Sequence, residues 1–433
     1  MGAAIVVVLL ALAFQNLAFG IAVALLVLGA VALMVLGGWA ILAPLGSMIR
    51  GTWRALPGQG FGICPGTRQS ANGPTAFTEW MYAGLQHAAE LPPERPLTFA
   101  MLAEAGVGLQ MVATDLGSAR PVRIPFEQEQ YLFVPAELRA LFPAPVVEHV
   151  LDVAGVPADE RDGTRAWFLP AAELPVVIGA RISASVPLLL SSLKLYSARS
   201  DLPGPVESHM SDGGITSNFP IHFFDDWLPD HPTFGLDLVP FPEGGHGRDA
   251  APIFMPSGPD APSVPHWTNA KTLGAFLRQI EDASRNWRDE LQAELPGFRD
   301  RVCQIRMAPG EGGFNLQADP STVNSLMDRG RAAGLEILEK FDWDQHRFIR
   351  YVTLMEMLQE NFSLLSARFS EYRKWLASDA SERIAAREGR SAEWRTDAER
   401  ATARFIEHAP EAPAFDSGES PQPAPAMRIG PRV

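Results

Sequence analysis

The sequence predicts an α/β layer fold with an apolar segment in front of it and helices behind it, and three observations carry that reading. From about Thr78 to Arg350 short apolar runs alternate with helical patterns, as in sheets covered by helices. From Met1 to Ile49 no residue is charged, and Gln15 and Asn16 are the only amides. From Phe348 to Leu376 apolar residues recur at steps of three and four, which is the period of a helix.

Taken in order, the apolar run from Ala3 to Leu45 is about twice the roughly 20 residues that a helix needs to cross a bilayer. Two spans broken near Gln15, Asn16 and Gly20, or one long tilted helix, both fit this length. Arg50, Arg54 and Arg68 follow with no acid before Glu79, so the positive-inside rule places the main domain in the cytoplasm. Residues 50–77 are rich in Gly and Pro and read as a juxtamembrane linker. Residues 78–345 form the expected main domain, with strands at Gln110–Leu116, Thr233–Val239 and Arg301–Met307. A helix over Leu273–Leu295 is signalled by Leu273, Phe276, Leu277, Ile280, Trp287 and Leu291 and ends at Pro296. Asp319-Pro320 opens another, with a capping carboxylate and a proline at the first turn.

Residues 346–408 read as a helical extension. Its first part has one seam made of Phe348, Val352, Met355, Leu358, Phe362, Leu365, Phe369, Tyr372 and Leu376, suited to packing on the domain or in a short coiled coil. Residues 409–433, with repeated Pro, Ser and Gly, predict a disordered tail.

Composition narrows the function. The 433 residues carry a formal net charge of −14, which argues against a nucleic-acid binder. The two cysteines, Cys64 and Cys303, are too few and too far apart for a disulfide framework or a cysteine zinc site. No His-x-x-x-His, His-Glu-x-x-His or carboxylate cluster with metal spacing occurs, so neither metal nor cofactor is expected.

The most informative short motif is Asp212-Gly213-Gly214. A carboxylate before two glycines suits a sharp turn with positive φ and the close approach of another segment. Upstream lie Gly179–Leu190, with Ser183-Ala184-Ser185-Val186-Pro187, and Gln110–Ile124, with Ala113-Thr114-Asp115-Leu116; Asn218-Phe219-Pro220 follows. This ordered set resembles the patatin-like phospholipase family, loosely from Gly60 to Leu338. The resemblance implies a patatin-like α/β/α layer fold and lipid acyl hydrolysis by a serine–aspartate pair. In that family the serine sits in a Gly-x-Ser-x-Gly elbow and the Asp of the Asp-Gly-Gly motif takes its proton. Carried over, Asp212 is the proton acceptor, Gly213 and Gly214 shape its turn, and a membrane lipid is the substrate.

The family's elbow is absent: no Gly-x-Ser-x-Gly occurs in the chain. Ser47 and Ser118 each follow a glycine but lack the flanking ones. Gly58-x-Gly60-x-Gly62 is the nearest match to a Gly-rich oxyanion loop and reads better as linker, and Gly310-x-Gly312-Gly313 does not lead into a helix. Both missing motifs belong to the first part of the family fold. The expectation is therefore a chain that carries the Asp half of a membrane-associated hydrolase and is incomplete on its N-terminal side. The alternative is an inactive relative that binds lipid or protein as a scaffold.

His209 and His222 flank the Asp motif and read as ordinary polar residues rather than as bases. Asp115 reads as a strand-end residue that accepts hydrogen bonds from neighbouring amides. Ile253-Phe254-Met255, an apolar island within Pro240–Pro265, suits either a lid over an acyl pocket or a loop anchored by those side chains.

Overall fold

The computed structural model describes residues 54–407, apart from residues 69, 71–72, 128–130, 162–163, 198–204, 242–250, 257–271, 274–275, 277–278, 281–294, 309–310, 313–314, 316 and 388. The first elements are β1 (Gly62–Cys64), α1 (Phe77–Ala88), α2 (Phe99–Glu104), β2 (Met111–Asp115), β3 (Arg120–Ile124) and β4 (Tyr131–Phe133). Next come α3 (Pro135–Leu141), α4 (Ala144–Ala154), β5 (Asp159–Arg161), β6 (Thr164–Phe168), α5 (Val176–Ser183), β7 (Leu188–Leu190), β8 (Leu193–Ser197) and β9 (Val206–Asp212). The chain continues through β10 (Gly235–Pro240), β11 (Ile253–Phe254), β12 (Val302–Met307), α6 (Pro320–Lys340), α7 (Trp343–Leu376), α8 (Asp379–Arg387) and α9 (Ala392–Glu407).

These elements fall into two compact units. One holds the described residues up to Leu109, with Asp115–Ser118 and Pro125–Asp212; the other holds Gln110–Thr114, Ala119–Ile124 and the described residues from Gly213 onward. In the first unit β9, β8, β4, β6 and β5 lie side by side in that order, each pair antiparallel. For β5–β6 and β8–β9 the short connections dictate this, because a parallel crossover needs about a dozen residues or more; Arg161 already pairs with Thr164, whereas β4 pairs with β6 and β8 across long stretches of chain. Strand β8 shows the expected period of two, with Leu193 and Leu195 buried and Lys194 and Tyr196 half-buried. Leu193 and Leu195 join a core that includes Met210, Phe133, Leu138, Val147, Ile178 and Ile182. On α1, Gln86 holds the following loop by bonding to Pro92, Arg95 and Leu97.

In the second unit β12 lies between β10, which is parallel to it, and β11, which is antiparallel. Helix α6 covers part of this small sheet: Ala333 and Ile337 pack with Cys303, Ile305 and Met255. Asp319 caps α6 by accepting the Thr322 amide at 2.9 Å, with Pro320 at the first turn, as the sequence predicts. Asp342 caps α7 in the same way through Gln345. The far half of α7 meets α9 through an Arg373–Glu399 ion pair and stacked Phe362 and Phe405 rings.

Several expectations change. The described fold is mixed α/β with an antiparallel first sheet, not a uniform α/β/α layer fold behind transmembrane helices. Among the described residues no helix is long and apolar enough to cross a membrane. Residues 1–49, on which those helices were expected, lie outside the described residues, as does the 409–433 tail, and so does most of the Leu273–Leu295 helix. The three expected strands are present as β2, β10 and β12.

The Gly58-x-Gly60-x-Gly62 stretch is a packed turn rather than a loose connection. Gly60 has φ +62° and its carbonyl accepts from Ser192, while β1 pairs in parallel with β7. A side chain at Gly62 would overlap the Ser191 backbone, so only glycine fits. Within Pro240–Pro265, Ile253 and Phe254 form β11 and Met255 is buried against α6, so these side chains anchor the segment to the sheet.

Candidate functional site

Asp212 is the last residue of β9, where the strand gives way to a 3-10 turn over Gly213–Ile215. The strand end is fixed from one side by the turn after α5. The Asp212 amide donates to the Ser185 carbonyl at 3.1 Å, and the Ser211 hydroxyl donates to that same carbonyl at 2.9 Å. The Ala/Ser-rich helix and the Asp motif are therefore brought together, although 26 residues separate Ser185 from Ser211.

A buried cation organises the turn. The Arg181 guanidinium donates to Ser185 Oγ at 2.5 Å, to Pro65 O at 2.9 Å and to Ser191 O at 3.0 Å. Ser185 Oγ in turn donates to Arg181 O at 2.7 Å. Burial pushes the Arg181 pKa down to about 10, which leaves it cationic at neutral pH. Gly66, with φ +78°, lies against this side chain. Arg181 was missed in the sequence: an arginine in a small-residue helix gives no signal that it is buried when its acceptors are distant backbone carbonyls.

Gly213 serves the site by closeness rather than by a positive φ. A Cβ there would overlap the carbonyl of Val112. The turn is closed by Thr216 and Ser217 amides donating to Gly213 O at 3.0 and 2.9 Å. The Thr216 hydroxyl lies 2.9 Å from that of Thr114 in β2. The positive φ expected of this glycine is thus corrected, whereas the expected close approach is present. Gly214 completes the 3-10 turn.

Asp115 has the structural role that its position suggests. Its Oδ1 accepts the Gly117 amide at 2.9 Å, the Ser118 amide at 3.1 Å and the Ser208 hydroxyl, and its Oδ2 accepts from Tyr131 at 2.9 Å. Burial raises its pKa, but the hydrogen bonds from Ser208, Ser118 and Tyr131 outweigh that and hold it below the usual carboxylate range. A carboxylate so fully used is a poor base. Ser118 is the turn residue that Asp115 holds, and Ser47 lies outside the described residues.

His209 is taken up within the sheet. Its Nδ1 lies 2.8 Å from Ser192 Oγ and its Nε2 3.4 Å from Glu207, with the Phe61 ring edge-on to it. Ser192 Oγ also donates to Gly60 O at 2.8 Å, and the Ser192 amide donates to the same carbonyl, so the arrangement locks the Gly60 turn onto β8 and β9. His222 sits on a separate 3-10 turn, Ile221–Phe224, with its ring edge-on to Phe223. A second charged group was not legible in the sequence: Asp225 receives Arg301 at 2.7 Å and Arg350 at 3.1 Å, and His346 Nδ1 lies 2.6 Å from Asp300. This cluster ties the 3-10 turn Arg299–Arg301, directly before β12, to α7. Among the described residues no three His, Cys, Asp or Glu side chains converge as a metal site.

No family model matches the chain, and no solved structure does. The chain is 30% identical over 361 residues to a curated protein of Rhizobium meliloti (strain 1021) named RpoH suppressor. The match covers 69% of this chain but only 57% of that protein, so the chain spans little more than half of the relative's length. That name does not describe a hydrolase, and it lends no weight to the lipid-hydrolase or transmembrane features expected from the sequence. What it establishes is similarity, over 69% of this chain, to one part of a longer protein.

Proposed function

We propose that this chain carries the carboxylate half of an acyl-ester-hydrolysing site of patatin-like type, with Asp212 as the proton acceptor. The observation behind the reading is the placement of Asp212 at the end of β9, its amide on Ser185 O, directly before a glycine pressed against Val112. A base that activates a serine has to stand within about 3 Å of it on a rigid support. The strand end, the Ser185 turn and the buried Arg181 provide such a support. The nucleophile comes from polypeptide outside the 433 residues, since none of their serines stands in a Gly-x-Ser-x-Gly elbow.

The test is hydrolysis of a short-chain fatty-acyl ester by this chain and by a form extended upstream. The chain alone is expected to be inactive. The extended form is expected to turn over, and Asp212→Ala to lower its rate by about 10²–10⁴-fold, the usual contribution of general-base catalysis. Turnover by the chain alone, surviving purification, contradicts the proposal.

A second reading is favoured by the missing elbow: a non-catalytic scaffold that binds lipid or protein, for which the relative's name, RpoH suppressor, suggests the assay. In a suppression assay with the 433-residue chain alone this reading expects an effect that Asp212→Ala keeps in full, whereas the hydrolase reading expects the chain alone to have none.

A further inference from the structure

Helix α7 carries three rows of side chains that could pack, and two of them have partners in the chain. One row, His346, Ile349, Arg350, Thr353 and Met357, is buried. A second meets α9: Phe362 stacks on Phe405, Arg373 pairs with Glu399, and the Leu376 carbonyl accepts from Arg395. The third runs through Tyr351, Leu358, Leu365 and Tyr372. Here Tyr351 is 45%, Leu365 36% and Tyr372 61% exposed, and Leu358 is half-buried. At about 1.5 Å of rise per residue the row extends along about 32 Å of helix.

Two properties of this row say what covers it. Its spacing is seven residues at every step. Such a row drifts by about 20° per heptad around a straight helix and stays on one line only where the helix coils around another helix. Its order is also a palindrome, Tyr-Leu-Leu-Tyr. Laid antiparallel on a copy of itself, it sets Tyr351 against Tyr372 of the partner subunit and Leu358 against Leu365 of the partner subunit. Each tyrosine then faces a tyrosine and each leucine a leucine, and every contact occurs twice, as a two-fold interface requires.

We infer that α7 pairs antiparallel with the α7 of a second copy of this chain along Tyr351, Leu358, Leu365 and Tyr372, joining two α7–α9 hairpins into a four-helix bundle. The antiparallel direction follows also from α9, which lies against the far half of α7: it places one α9 at each end of the pair, where a parallel pair crowds both at the same end. The area is sufficient. At about 150–250 Å² per aromatic side chain, Tyr351, Tyr372, Trp375 and Phe405 with Leu365 leave roughly 500 Å² exposed in each copy. Two copies, with the polar flanks of the helices, reach the lower end of the roughly 1,200–2,000 Å² buried in a stable interface. The inference is independent of the hydrolase reading, since the row contributes nothing to the support of Asp212.

Sedimentation equilibrium of the full 433-residue chain is expected to show a dimer. Leu365→Lys and Tyr372→Lys should each weaken it by about tenfold or more, as for anchor residues of an interface. Val156→Lys, at an exposed position in the first unit, should leave it unchanged. Circular dichroism of both variants should match the parent, because the replaced side chains are exposed within a single copy. The direction is read by oxidative cross-linking with Cys64→Ser as background. A mixture of Tyr351→Cys and Tyr372→Cys chains should cross-link, and neither variant should do so alone.

A monomer at every concentration measured overturns the inference, as does a dimer indifferent to both lysines, whose contact then lies elsewhere on the chain. Cross-linking of Tyr351→Cys to its own copy overturns the antiparallel pairing.

Discussion

Asp115 and Asp212 are both aspartates at strand ends. The Asp115 carboxylate accepts from two amides and two hydroxyls, and the Asp212 amide donates to the Ser185 carbonyl. Asp115→Asn should cost about 1–3 kcal/mol in denaturant unfolding, the range for disturbing a buried hydrogen-bonded polar group. Because the folded-state pKa of Asp115 lies below its ordinary value, its stabilisation is fully present above that ordinary value. It is lost as pH falls through the folded pKa, so the variant should show a flatter acid limb of stability against pH. Gly213→Ala tests the other half of the motif. Its Cβ meets the Val112 carbonyl, and a loss of about 1–3 kcal/mol is expected from overpacking. The sequence signals the glycine but not its reason, because a two-glycine turn can be needed for φ or for space. Arg181 gives no signal of its burial, since beside the nearby Ser185 hydroxyl its acceptors are carbonyls 10 and 116 residues away.

At the scale of elements, the helices and strands of the second unit are legible where local chemistry decides. The Asp319 cap and the strands β2, β10 and β12 are cases in point. The face that α7 buries is not. The seam through Phe348, Val352 and Met355 satisfies helical spacing, yet Phe348 is 65% exposed and the buried row is His346, Ile349, Arg350, Thr353 and Met357. Two neighbouring rows fit one period, and the choice between them is made by Asp225 and Asp300, which bind Arg350 and His346 from far along the chain. Ile349→Ala should therefore cost about 2–5 kcal/mol and Phe348→Ala about 0.5 kcal/mol or less in thermal or chemical unfolding. Equal losses at the two positions contradict the assigned face. The same packing protects Cys303: burial beneath α6 pushes its thiol up to about 11, while Cys64 is exposed. Maleimide at neutral pH should label Cys64 readily and Cys303 only in denaturant, as read by mass spectrometry.

For the molecule as a whole, the α/β character and the order of the motifs were readable from hydrophobic pattern and small-residue runs. The sheet direction was not. Strand β4 pairs antiparallel with β6 and β8 across connections long enough for either direction, so neither local pattern nor connection length announced it. The Gly58–Gly62 stretch misleads for a related reason: glycines mark a linker and a close-packed turn alike, and Ser191 and Ser192, which make it a turn, lie more than 120 residues away.

Labelling with a fluorophosphonate that reacts with activated serines, followed by mass mapping, tests the central claim most directly. The account predicts no labelled serine in the 433-residue chain. In an upstream-extended form it predicts one labelled serine preceding Met1, its labelling slowed by about 10²-fold or more in Asp212→Asn. Labelling of a serine within the chain itself, unaffected by the Asp212 substitution, would contradict it.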